Sequence, residues 1–103
     1  MEFKDCFNEL KKDFVNKDVS NIPNVVFEFN IKDIGVFYAK VQDGKLDIQP
    51  YNYYDNDVSF TAKFETYKKI INGKLDAAKA FFNGKLKISG DLGKEDILQN
   101  ILQ

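Results

Sequence analysis

Cys6 is the only thiol of the chain, and there is no histidine anywhere to take a proton from it. Without imidazole there is no Ser-His or Cys-His nucleophile pair and no imidazole metal ligand. Asp5 and Glu9 stand close to Cys6 in sequence, whereas a reactive thiolate needs an electropositive setting. The expected role of Cys6 is therefore that of a small buried hydrophobe. The carboxylates scatter, and Glu28 and Asp47 fall on the polar sides of their strands. Asp55-Asn56-Asp57 lacks the later bidentate glutamate of a calcium loop. Three Gly-Lys-Leu triplets begin at Gly44, Gly73 and Gly84. None has a glycine five residues earlier, and leucine replaces the hydroxyl that would hold magnesium, so they are not phosphate loops. Tyr51, Tyr53 and Tyr54 form the one cluster of weak acids, and such rings suit covering a sheet edge with their hydroxyls in water. No catalytic group, metal set or cofactor motif emerges, and the chain is expected not to be an enzyme.

Composition narrows the partners. Fifteen basic residues, all of them lysine, meet sixteen acidic ones for a net charge of −1. On average the chain has no attraction for phosphates, and it lacks the arginine fork that reads them, so nucleic acid is not an expected partner. No apolar run approaches the ~20 residues of a membrane span, so stable membrane insertion is not expected. Nothing at the N-terminus resembles a signal peptide, and one cysteine forms no internal disulfide, which makes the cytoplasm the expected compartment. The Lys, Asn and Ile bias is of the kind an AT-rich bacterial genome encodes. Aromatic content is the unusual number: ten Phe and five Tyr make 15% of 103 residues.

These side chains must be positioned by elements that the hydrophobic period marks. Phe3, Phe7, Leu10 and Phe14 recur at three- and four-residue spacing, predicting a helix over residues 2–17 with Cys6 on its apolar stripe. Asn21 to Asn24 breaks it. Alternation then predicts strands over 25–31, 36–42, 45–49 and 57–62, the second and third joined by Asp43-Gly44, a type I′ turn signal. The period switches again at Phe64, Tyr67, Ile70 and Ile71, a short helix stopped by Asn72-Gly73. A second runs from Asp76, a good N-cap, to Asn83-Gly84. A fifth strand over 85–89 precedes a loop at 90–93 and a terminal helix over 94–103 bearing Ile97, Leu98, Ile101 and Leu102. The whole reads as one α+β domain, with helices over one face of a largely antiparallel sheet and the other face partly polar.

The segment Asn72-Gly73-Lys74-Leu75-Asp76, followed by Ala80-Phe81-Phe82-Asn83-Gly84-Lys85-Leu86-Lys87-Ile88-Ser89-Gly90-Asp91-Leu92, resembles the sterol carrier protein family, the type-two or nonspecific lipid-transfer domain. Tyr38 to Leu46 and Asp57 to Phe60 are similar to that family's second strand with its hairpin and to its fourth strand, more loosely. The resemblance implies a five-stranded sheet in the order 3-2-1-4-5, helices on one face, and between them a tunnel for acyl chains, acyl-CoA, phospholipids or sterols. Three positions depart from the family. Ala77 stands where proline is frequent, Phe82 where methionine is common, and Phe37 where tryptophan is frequent. The rigid rings would narrow the tunnel, which places fatty acid, acyl-CoA or phospholipid ahead of sterol.

The expected ligand walls are Phe60 from the sheet, Tyr67, Ile70 and Ile71 from the first short helix, and Phe81 and Phe82 from the second. Ile97, Ile101 and Leu102 from the terminal helix form the expected lid. A cavity is expected among Ile70, Phe81 and Ile101. The competing reading packs all nine solidly on one another and makes the domain a ligand-free interaction module that buries an apolar patch by homodimerising.

Overall fold

The computed structural model describes residues 2–15 and 17–90. The first helix, α1, spans Phe3–Phe14, and its stripe buries Cys6, Phe7, Leu10 and Phe14. It ends earlier than the sequence suggests. The Val15 N–H bonds the Lys11 carbonyl, and Val19, in the irregular segment beyond, also drops into the core. The strands are β1 (Val25–Ile31), β2 (Gly35–Gln42), β3 (Lys45–Gln49), β4 (Val58–Ala62) and β5 (Leu86–Gly90), with α2 (Phe64–Ile71) and α3 (Ala77–Phe82) between the last two. The terminal helix expected over 94–103 lies outside the described residues.

The sheet order is β3-β2-β1-β4-β5. Three pairings are antiparallel, but β1 and β4 run parallel, so the sheet is mixed. The connection explains this. After the meander β3 runs in the direction of β1, so a chain that is to enter beside β1 must travel back along the sheet before starting β4. Residues 50–57 make that return across the polar outer face. Tyr53 lies on Tyr38, with ring centroids 4.9 Å apart, and Lys40 Nζ donates to its hydroxyl. Tyr53 thus covers a sheet face, where sequence pattern suggested an edge. Asp57 anchors the start of β4, its Oδ2 accepting from the Val26 N–H at 2.7 Å and its own N–H donating to the Val26 carbonyl.

On the inner face the register sets phenylalanines side by side. Phe37 of β2 pairs with Phe29 of β1, which pairs with Phe60 of β4. Their rings stack at 5.0 and 5.4 Å, 18° and 21° from parallel. Phe14 of α1 and Tyr67 of α2 close over Phe29 at 5.4 and 5.7 Å. Stacked and edge-on rings at this spacing add ~0.5–1.5 kcal/mol per pair beyond the area they bury.

The turns behave as their residues require. Asp43 and Gly44 both have positive φ, 54° and 76°, the type I′ pair. Gly84, after the Asn83 C-cap, has φ 76°, and a Cβ added there would meet nothing within 4 Å. Gly84→Val should therefore cost roughly 1–2 kcal/mol from backbone strain alone. A denaturant midpoint that does not move would contradict this.

Candidate functional site

The expected wall residues separate into two groups. Phe60, Tyr67, Ile70 and Ile71 are buried together on the helix side of the sheet. Tyr67 sets their arrangement. Its ring stands edge-on to Phe29, interplanar angle 83°, and its hydroxyl donates to the Asn30 carbonyl at 2.9 Å, so the polar tip of a buried ring is satisfied. Burial pushes its ionisation well above the ordinary tyrosine range, against a smaller opposite pull from the Ala62 backbone. α2 is held to α1 by the Lys68–Asp13 ion pair at 2.8 Å, and to the segment that follows α1 by Lys17 Nζ donating to the Ile71 carbonyl. Tyr67→Phe should keep the packing but strip a donor from a buried carbonyl, lowering stability by about 1–2 kcal/mol. Urea titration reads that loss, and an unshifted midpoint would mean water replaces the hydroxyl.

Phe81 and Phe82 go elsewhere. Their rings touch each other, centroids 5.8 Å apart, but Phe81 is 37% and Phe82 84% exposed. The residues that α3 buries are Ala77 and Ala80, while Leu86 of the neighbouring β5 is buried too. The reason is angular. Side chains advance about 100° per residue, so Phe81 and Phe82 lie about 100° and 200° from the buried Ala80 stripe. Asp76 caps this short helix as expected, accepting from the N–H groups of Ala78 at 2.8 Å and Lys79 at 3.2 Å. Ile97, Ile101 and Leu102 lie outside the described residues. Ile70 and Phe81 therefore do not share a wall: one is fully covered and the other faces outward.

A cleft of about 370 Å³ opens in another place, where the ends of β1 and β4 meet the start of α2 and the approach to β5. Ala62 and Leu75 supply apolar lining, and Lys32, Lys63, Lys69, Lys85 and Lys87 surround it with a single carboxylate, Glu65. The five lysines are exposed, and none makes an ion pair or side-chain hydrogen bond among the described residues. Sequence reasoning missed this site. Its lysines span 55 positions and no local motif marks them.

Cys6 is fully buried, and burial first, then Asp5 and Glu9, push its thiol up from the ordinary range. Among the described residues no cluster of three or more Cys, Asp or Glu side chains is placed to hold a metal ion, and no helix is long and apolar enough to cross a membrane.

A five-stranded mixed sheet in this order, with helices on its apolar face, is the architecture of sterol-carrier-type domains. The chain belongs to the SCP-2 sterol transfer family, whose model matches residues 7–103. It is 28% identical to human sterol carrier protein 2 over 92% of its own length, but spans only 19% of that relative. It is 33% identical over 86% of its length to mouse peroxisomal multifunctional enzyme type 2, of which it spans 13%. Among solved structures it resembles palmitated SCP2L2 from Aedes aegypti, with a TM-score of 0.69, 25% identity, and coverage of 100% of this chain and 96% of that one.

Proposed function

We propose that the protein is a non-catalytic carrier of a lipid-like apolar ligand, with fatty acid, acyl-CoA or phospholipid preferred to sterol. The observation that carries this reading is membership of the sterol transfer family over residues 7–103, joined to a palmitate-bearing relative that aligns with the whole chain. The acyl chain would lie on the helix side of the sheet, against Phe60, Tyr67, Ile70 and Ile71, with Phe81 and Phe82 at its mouth. Ile97, Ile101 and Leu102 would close over it. Phe60 and Ile70 are already 0% exposed, so a ligand must part a helix from the sheet to reach them. Tyr67 brings the one polar group of that wall, and its hydroxyl is engaged by Asn30. The wall thus offers area and dispersion, which select for an acyl chain and leave the head group unspecified.

Native mass spectrometry of freshly purified protein, with organic extraction, tests this directly. One bound lipid per chain is expected. A bare chain that also fails to bind a fluorescent fatty acid would refute the carrier. The exposed Phe81–Phe82 pair favours one second reading, a ligand-free module that dimerises through this patch, and a concentration-dependent dimer without extractable lipid would select it.

A further inference from the structure

The sheet register gathers three lysines. Ile31, Ala62 and Leu86 are cross-strand partners, so Lys32, Lys63 and Lys85, each one step beyond them, come together at one end of three adjacent strands, on the border of the cleft. Strands lie about 4.8 Å apart, and like charges on neighbouring strands repel and cost stability. Lys87, the partner of Thr61, adds a fourth charge and Lys69 of α2 a fifth, against Glu65 alone. In a chain of net charge −1 this is a local reversal of sign. The exposed phenylalanine pair adjoins it. The Gly84 N–H donates to the Phe81 carbonyl at 3.1 Å and the Lys85 N–H to the Ala80 carbonyl at 2.9 Å, so one tight turn ties α3 to the lysines. Phe82, 84% exposed, is costly to leave in water. A small anion would answer the lysines and leave the rings uncovered, and a purely apolar partner would do the reverse.

We propose that this corner docks an acidic amphipathic helix of another protein. Successive turns of a helix are about 5.4 Å apart, close to the interval between strands, so glutamates three or four positions apart can meet neighbouring lysines. The same helix carries apolar side chains beside them. One enters the recess of about 370 Å³ next to Leu75, and others cover Phe81 and Phe82. Complementary charge speeds and orients the encounter, while a desolvated aromatic ring supplies affinity. The inference goes beyond ligand carriage and stands without it, because a protein that holds no lipid could still bind a partner in this way.

The probe is a fluorescein-labelled synthetic peptide of about eighteen residues, with leucines on one helical stripe and glutamates flanking it. Fluorescence anisotropy with the full chain should show binding that weakens as salt is raised. Lys63→Gln with Lys85→Gln should reduce the affinity roughly tenfold, and Phe82→Ala about fivefold. The Lys63 side chain makes no capping bond to α2, and relief of repulsion should hold or raise the melting temperature of the doubly neutralised chain. Lys32→Gln with Lys87→Gln serves if the first pair does not fold. Equal binding by the neutralised variant, by Phe82→Ala, or to a peptide of the same composition with its stripe scrambled overturns the proposal. No binding by the wild type does so as well. So does tight binding of inorganic pyrophosphate that the neutralised variant loses and Phe82→Ala keeps, for the cleft would then be a small-anion site. Failure here leaves the extracted-lipid experiment untouched, and the reverse also holds.

Discussion

Replacing Phe29 with alanine should cost about 3–5 kcal/mol and come close to unfolding the domain. No other ring has as many partners: Phe29 stacks on Phe37 and Phe60 within the sheet, leans on Phe27 and Phe14, and receives the edge of Tyr67 from α2. It lies in the central strand and is 1% exposed, and its strand neighbours are fixed by the ladder, so they cannot move in to fill the space. The lost apolar area and the remaining void add together. For a domain of this size that should lower the melting temperature by roughly 15–30 °C. Phe29→Leu, which keeps most of the volume, should fall well short of that. A loss below ~1 kcal/mol on truncation to alanine would show that these six rings do not form one packed unit.

The second large effect concerns binding. Removing residues 94–103 should abolish capture of a fluorescent fatty acid while leaving cooperative unfolding of the remainder. Among the described residues all five strands are in place and the core extends from Cys6 to Leu86, so the sheet already has a continuous apolar cover from α1 and α2. The four aliphatics Ile97, Leu98, Ile101 and Leu102 recur at helical spacing in the sequence. If they were ordinary core, burial worth ~1.5–3 kcal/mol each would rival the whole stability of a small domain, and truncation would destroy the cooperative transition. That outcome would make the segment structural. Undiminished binding by the shortened chain would instead show that the ligand is held without it.

Much of this molecule was legible in its residues because the signals are local. Alternation over 25–31 and 57–62 identified the inward faces of β1 and β4. Three- and four-residue spacing identified the buried stripe of α1, and Asp76, Asp43-Gly44 and Asn83-Gly84 marked a cap and turns whose geometry the structure reproduces. Each is decided by neighbours a few positions away, through side-chain direction and allowed φ. The Gly-Lys-Leu-Lys-Ile segment from Gly84 pointed to the family in the same way.

What local pattern could not decide is where a surface comes to lie once the chain returns on itself. The sequence set Phe81 and Phe82 among the expected walls, but Ala77 and Ala80 form the buried side of α3 and leave both rings outside. The two rings lie about 100° and 200° around the helix from Ala80, a rotation that local pattern does not fix. The parallel pairing of β1 with β4 follows from the return of residues 50–57 across the outer face, a matter of path rather than propensity. The bond from Tyr67 to Asn30 joins residues 37 positions apart. Charge shows the same division. The residues alone determined a chain whose fifteen lysines nearly cancel its acids, and only the tertiary structure drew five of them, from Lys32 to Lys87, around one cleft. A sum over the chain does not depend on position, whereas an electrostatic field does, and position is what folding supplies.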